Sequence, residues 1–242
     1  MKPYLKIILL SFLAAFLALP VYAASRTPQE YLDRVKEYYA LIGDYQCRMN
    51  EFSIGGGRRE ERIINYYFKK PKLIRMDILD GNRAFDPGSV GVYTGGDKVS
   101  GHRGGIMKDI TLNISKNSTL ATSVRGETID QSDMLTVIER FQFHIRNSEI
   151  SLREKASHVE FSFIPYDPSA NEGITRDVIW IDLETMLIIR NERYEGKDLV
   201  QQVIWSDYII NAGLPDELFD ARFDVAELQG RGIPLLDQEL EK

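Results

Sequence analysis

A period of two runs through most of this chain and limits the folds open to it. In residues 158–164, Val159, Phe161 and Phe163 alternate with Glu160 and Ser162; in residues 73–80, Ile74, Met76 and Ile78 alternate with Arg75 and Asp77. Successive side chains of a strand point to opposite faces, so each stretch predicts a half-buried strand with one apolar face. Aromatic and β-branched stretches recur at 45–54, 60–69, 149–153, 175–182, 187–194 and 199–210. The glycine run 55–57 reads as a hairpin turn between the first two, and shorter candidates at 90–94, 98–100 and 110–114 lie between glycine pairs. Pro71 cannot donate to a ladder, which puts it between strands or at a sheet edge.

Two segments follow the helical period instead. Thr27, Pro28 and Glu30 form a helix start, after which Tyr31, Val35, Tyr38 and Ile42 share a stripe that Gly43 ends. A second helix is predicted from near Ser132, with Met134, Ile138, Phe141 and Ile145 on one face. Roughly ten single-faced strands and two amphipathic helices must share a core, because long apolar sheet faces cannot stay wet. The expected fold is therefore mainly β (α+β): a strongly curved antiparallel sheet forming a half-open β-barrel, with the helices packed over its concave face. No solenoid repeat and no dividing linker occurs, so residues 24–242 are expected to form a single domain.

Residues 1–23 have the layout of a secretory signal peptide: Lys2 and Lys6, an apolar run from Ile7 to Leu19, the breaker Pro20, and small residues ending at Ala23. The run is shorter than the roughly 17 to 25 residues that span a bilayer. Cleavage after Ala23, export to the periplasm and a monomer are the expectations. Removing two lysines and no acids takes the formal charge from −6 to −8. That balance argues against nucleic acid as a partner, since binding it relies on a basic surface. Cys47 stands alone, so no internal disulfide is available, and it reads as a small buried apolar residue.

Residues 178–225, VIWIDLETMLIIRNERYEGKDLVQQVIWSDYIINAGLPDELFDARFDV, resemble the closing half of the bacterial LolA-type lipoprotein carrier superfamily. The order is a strand into Asp182, a turn at Glu184 and Thr185, a strand, a hairpin at Gly196 and Lys197, a strand into Asp207 and Tyr208, then Leu214 to Phe219. FKKPKL at residues 68–73 is similar to the family's basic, proline, apolar motif, while the middle, residues 95–131, resembles it least. The resemblance implies a half-open barrel whose helices act as a lid over an apolar cavity. It implies partners too: acyl chains of lipids or lipoproteins, with membrane-associated donor and acceptor proteins. Other members sense lipoproteins and regulate an envelope-stress pathway, so a sensor or protein-interaction module is the alternative. Lys70 matches the basic residue that ties the carrier's lid, an arginine there; a lysine offers a point charge in place of a planar fork. Ile74 and Met76 match an aromatic and a tryptophan.

On this reading Tyr66, Phe68, Ile74, Met76, Ile78, Phe161, Phe163 and Trp180 form the apolar ligand-binding wall. Met134, Ile138 and Phe141 belong to the lid, and Lys70 to the rim or latch, with Lys69 and Lys72 keeping their charges in water. The same spacing also fits an ordinary core wall with a solvated lysine turn. Enzyme chemistry finds no support. His102, His144 and His158 have no metal-ligand spacing, a lone cysteine gives no zinc site, and no Gly-x-Ser-x-Gly turn or phosphate loop occurs. His102 reads as a turn residue in a glycine loop. The loop 167–173 superficially resembles a calcium loop but has Val178 where the bidentate glutamate is needed, and the carboxylates of 77–86 read as a turn. No cofactor and no catalytic residue is expected.

Overall fold

The computed structural model describes residues 26–237; the expected leader lies outside the described residues. Strands β1 (Asp44–Gly55), β2 (Arg58–Lys69), β3 (Leu73–Gly81), β4 (Ser89–Tyr93), β5 (Lys98–His102) and β6 (Leu112–Ser115) form one antiparallel meander. A second meander is built from β7 (Ser148–Glu154), β8 (His158–Pro165), β9 (Arg176–Asp182), β10 (Ile188–Glu195) and β11 (Asp198–Ile210). Pairing of β1 with β11, from Tyr45 opposite Ile210 to Ser53 opposite Gln201, joins them into one open sheet of eleven strands with β6 and β7 at its edges. The β1–β2 turn is Gly56–Gly57 with φ of 56° and 72°, the double left-handed conformation that a two-residue hairpin requires.

This topology dictates where the helices go. After β6 the chain must travel to the opposite edge, and it does so across the concave side through residues 116–133 and then a helix. The first helix, α1 (Pro28–Leu41), starts as its sequence implies: Glu30 N–H donates to Thr27 Oγ1 (3.3 Å) and Thr27 N–H donates to Glu30 Oε2 (2.6 Å). The crossing helix, α2 (Met134–Asn147), is capped by Asp133, which accepts from Thr136 N–H at 3.2 Å. Tyr31, Leu32 and Val35 of α1 and Met134, Ile138 and Phe141 of α2 pack into one core with the inward faces of both meanders.

The half-buried expectation for β3 is corrected by the other side of the sheet. Arg75 and Asp77 are buried, because residues 212–236, including the short helix α3 (Glu227–Gly230), lie over the convex face. Leu214, Leu218, Phe219 and Leu228 make a second core there with Tyr67 and Val92. The buried charge is tolerated because its partners are supplied: Arg75 Nε donates to Asp77 Oδ1 (2.7 Å), and Nη1 donates to the carbonyls of Leu218 (3.0 Å), Asp220 (3.1 Å) and Phe223 (3.1 Å). Pro71 sits in the β2–β3 connection after a cis Lys70–Pro71 bond, between interior strands and away from the sheet edges.

Candidate functional site

The three lysines around Pro71 do not simply point into water; each ties down a different covering element. Lys69 Nζ donates to the Leu214 carbonyl (2.7 Å) and pairs with Asp216 (2.6 Å), holding the convex-face segment. Lys70 Nζ donates to the carbonyls of Tyr39 (2.8 Å) and Ala40 (3.1 Å) and lies 4.7 Å from the Tyr39 ring centroid. A cation on the last carbonyls of a helix also meets the negative end of its dipole. Lys72 Nζ lies 3.7 Å from Asp133, the cap of α2. Tyrosines of the sheet add to that anchor: Met134 N–H donates to the Tyr45 hydroxyl (3.2 Å), and the Tyr66 and Ser132 hydroxyls share a bond of 3.1 Å.

Beside this anchored helix lies a cavity of about 190 Å³. Met49, Met76, Ile78, Val99, Val137 and Trp205 form its apolar wall, and Leu112, Ile114, Leu120 and Ala121 close it from the side of β6 and the loop after it. Charged residues border it. Arg62 donates to Glu51 (2.8 Å), Arg83 pairs with Glu60 (2.9 Å), and Arg140 of α2 donates to Asn191 Oδ1 (2.8 Å). Burial pushes the Glu60 carboxyl up, against the pull of Arg62 and Arg83. Glu127 is raised for the same reason, against the charges of Arg140 and Arg193. The site is thus an apolar slot bordered by paired charges, suited to holding a chain by burial with a polar group beside it.

Of the residues expected on the ligand wall, Met76 and Ile78 line this cavity. Tyr66, Phe68, Ile74, Phe161 and Phe163 point to the same side but are sealed into the core, where Phe161 packs against Phe141 (4.8 Å between ring centroids), Tyr31 (5.4 Å) and Phe163 (6.1 Å). Trp180 lies on the opposite face: its neighbours Ile179 and Ile181 enter the concave core, and its own ring stacks under Arg190 at 4.8 Å. Met134, Ile138 and Phe141 are buried in the core; the α2 residues that reach the cavity are Val137 and Arg140. His102 is in β5 and lines the cavity, a correction to its reading as a turn residue. The charged border went unread, although Glu60 and Arg62 share the strand parity of Ile64, Tyr66 and Phe68 on β2. Extending the alternation two more steps would have found it.

Folding also assembles a serine, a histidine and an aspartate that no spacing suggested. His144 Nδ1 lies 2.7 Å from Ser148 Oγ and Nε2 lies 3.2 Å from Asp177 Oδ2. All three are buried, and the imidazole stacks on Phe163 with ring centroids 4.7 Å apart. A nucleophile sealed in aromatic packing has no route to substrate, so the trio serves as a polar link from the end of α2 to β9. Burial raises the Asp177 carboxyl, but the His144 hydrogen bond and the charges of Arg140, His144 and Arg193 together outweigh it and hold the group below its usual range. Cys47 is buried and its thiol is pushed up by burial. Among the described residues, no group of three His, Cys, Asp or Glu side chains could hold a metal ion, and no helix is long and apolar enough to cross a membrane.

No family model and no curated protein matches the chain. Among solved structures it is similar to a DUF1329 family protein from Desulfovibrio piger, at 16% identity over 80% of this chain and 95% of that one, with a TM-score of 0.43. An uncharacterized conserved protein from Thermus thermophilus matches at 12% identity over 83% and 96%, with a TM-score of 0.49. A LolA superfamily protein from Nitrosomonas europaea matches at 10% identity over 81% and 98%, with a TM-score of 0.36. These are likenesses of fold alone.

Proposed function

We propose that this protein is a non-enzymatic periplasmic carrier that shelters an acyl chain of a lipid or lipoprotein on the concave face of its sheet, acting as a monomer after loss of residues 1–23. The observation that carries the reading is the cavity itself, with an apolar wall of Met49, Met76, Ile78, Val99, Val137 and Trp205 beside the charged residues Glu51, Arg62, Glu127 and Arg140. At about 190 Å³ it is smaller than the roughly 300 to 1,000 Å³ of pockets that enclose drug-sized ligands. It therefore holds part of a chain in this form, and a longer one requires opening. Helix α2 is tied at its start to Tyr45 and Tyr66 and at its end to Asp177. The side that opens is then the one under residues 103–122, where Arg103, Leu112, Ile114 and Leu120 line the slot. Burial drives uptake: a C16 chain offers on the order of 10 kcal/mol of transfer free energy at about 0.8 per methylene, less the cost of opening and immobilisation.

Uptake of a fluorescent fatty acid tests the reading. Val137→Trp fills the slot from α2 and is expected to suppress uptake, while Trp180→Ala, on the opposite face, leaves it intact. Unchanged uptake by a folded Val137→Trp protein would remove the cavity from the account.

A further inference from the structure

Five of the nine large apolar side chains exposed among the described residues gather in one part of the fold. Ile106 is 90% exposed, Leu120 58%, Ile110 53%, Phe85 48% and Leu112 44%, and all five belong to the β3–β4 loop or to the segment from β5 to the loop after β6. Side chains of this size left in water as a group mark an interaction surface.

The surface is built, not loose. Phe85 holds φ at 69°, a left-handed conformation that a bulky residue rarely adopts. Its carbonyl is clamped by the Gly104 N–H (3.1 Å) and by the Ser89 hydroxyl. Gly104 is required for that clamp, because a Cβ there would lie 1.8 Å from the Pro87 carbonyl oxygen. The loop carrying Phe85 and the turn carrying Ile106 are thereby locked side by side.

Charge selects the partner. Residues 97–120 hold four cations, Lys98, Arg103, Lys108 and Lys116, against two anions, Asp97 and Asp109, in a chain whose formal charge is −6. Lys116 is paired with Asp130 at 2.5 Å, and Lys98 and Lys108 are exposed. An apolar cluster flanked by lysines on an otherwise acidic protein fits a bilayer rich in anionic lipid, where the apolar groups enter the headgroup boundary and each cation adds attraction. The patch is continuous with the cavity, since Arg103, Leu112 and Leu120 belong to both.

We infer that the face formed by Phe85, Ile106, Ile110, Leu112 and Leu120 docks reversibly on an anionic membrane, setting the mouth of the cavity against the lipid. Docking needs no bound ligand, so it is measured on delipidated protein by flotation with phosphatidylglycerol-containing vesicles and with phosphatidylcholine vesicles. The wild type floats with the first at low salt and much less with the second. Ile106→Ser with Ile110→Ser weakens flotation by about tenfold or more, as expected for withdrawing two apolar side chains from the boundary. Lys98→Glu with Lys108→Glu weakens it on anionic vesicles, and Leu41→Ser, an exposed leucine on α1, serves as the unaffected control. Failure of the wild type to float, or equal flotation of the Ile106/Ile110 variant, overturns the inference. So does self-association in light scattering that disappears in that variant, which would make the patch a protein interface. Fatty-acid uptake in solution, run on the same variants, keeps the two questions apart: failed docking with normal uptake leaves the cavity reading standing.

Discussion

Phe161 and Met76 each alternate onto the apolar face of their own strand, yet the fold gives them opposite jobs, and truncating each to alanine separates the two. Phe161 is fully buried against Tyr31, Phe141 and Phe163. Removing a buried phenylalanine costs about 3 to 5 kcal/mol, and because three neighbouring rings would each face the void it leaves, about 4 is expected here. With a urea slope of about 2.5 kcal/mol per molar for a domain of this size, the midpoint falls by about 1.6 M. Met76 is only partly buried and faces a cavity that already exists. Its truncation enlarges an open slot and leaves most neighbours in place, so about 1 kcal/mol and about 0.4 M are expected. Urea unfolding followed by circular dichroism measures both. Equal shifts for the two variants, or a shift below about 0.4 M for Phe161→Ala, would refute the division of the concave face into sealed core and open slot.

Four further outcomes follow from named interactions. Lys70→Met removes the cation from the Tyr39 and Ala40 carbonyls and should cost about 1 to 2 kcal/mol; hydrogen exchange should quicken at the end of α1 and not in the central strands, with partial rescue by Lys70→Arg. Asp177 is held below its usual range in the fold, so its contribution is complete above the unfolded value near 3.9 and is lost as pH falls through the lower folded value. Asp177→Asn should therefore lower stability at neutral pH and flatten the loss below about pH 4, as thermal unfolding across pH would record. Glu127, raised in the fold, has the opposite sign: stability is gained as pH falls through its folded value toward the lower unfolded one, and Glu127→Gln removes that gain in the same thermal-unfolding series. Arg75→Met strands Asp77 and three carbonyls under the convex-face segment, a loss of about 3 to 5 kcal/mol, and limited proteolysis should then cut within residues 212–236 far faster than in the wild type.

How much of this was legible depended on how local the determining physics is. Strand periodicity at Val159, Phe161 and Phe163, the cap at Thr27 and Glu30, and the face of α2 all survive folding, because alternation, capping and helical spacing are decided within a few residues. The convex core was hidden because Arg75 and Asp77 look solvated until a segment about 140 residues later supplies their partners. Trp180 was misplaced for a subtler reason. Both faces of β9 carry large apolar residues, so the alternation of Ile179, Trp180 and Ile181 does not say which face is inward, and pairing with Phe161 decides it. Phe161, Phe163 and Phe141 could not be told from cavity wall, because a core and an empty slot demand the same residue types and only the packing between α2 and β8 fills one of them. The lysines around Pro71 followed the same rule: their stems were placed, their partners on α1, at the cap of α2 and in the convex-face segment were not.

The central claim is that an acyl chain occupies the concave slot, and native mass spectrometry with lipid extraction on protein purified without detergent after expression of the full sequence tests it most directly. The account predicts a bound acyl species near one per chain, diminished in Val137→Trp. A polypeptide mass with nothing bound, unchanged after incubation with phospholipid and lipopeptide, would contradict it.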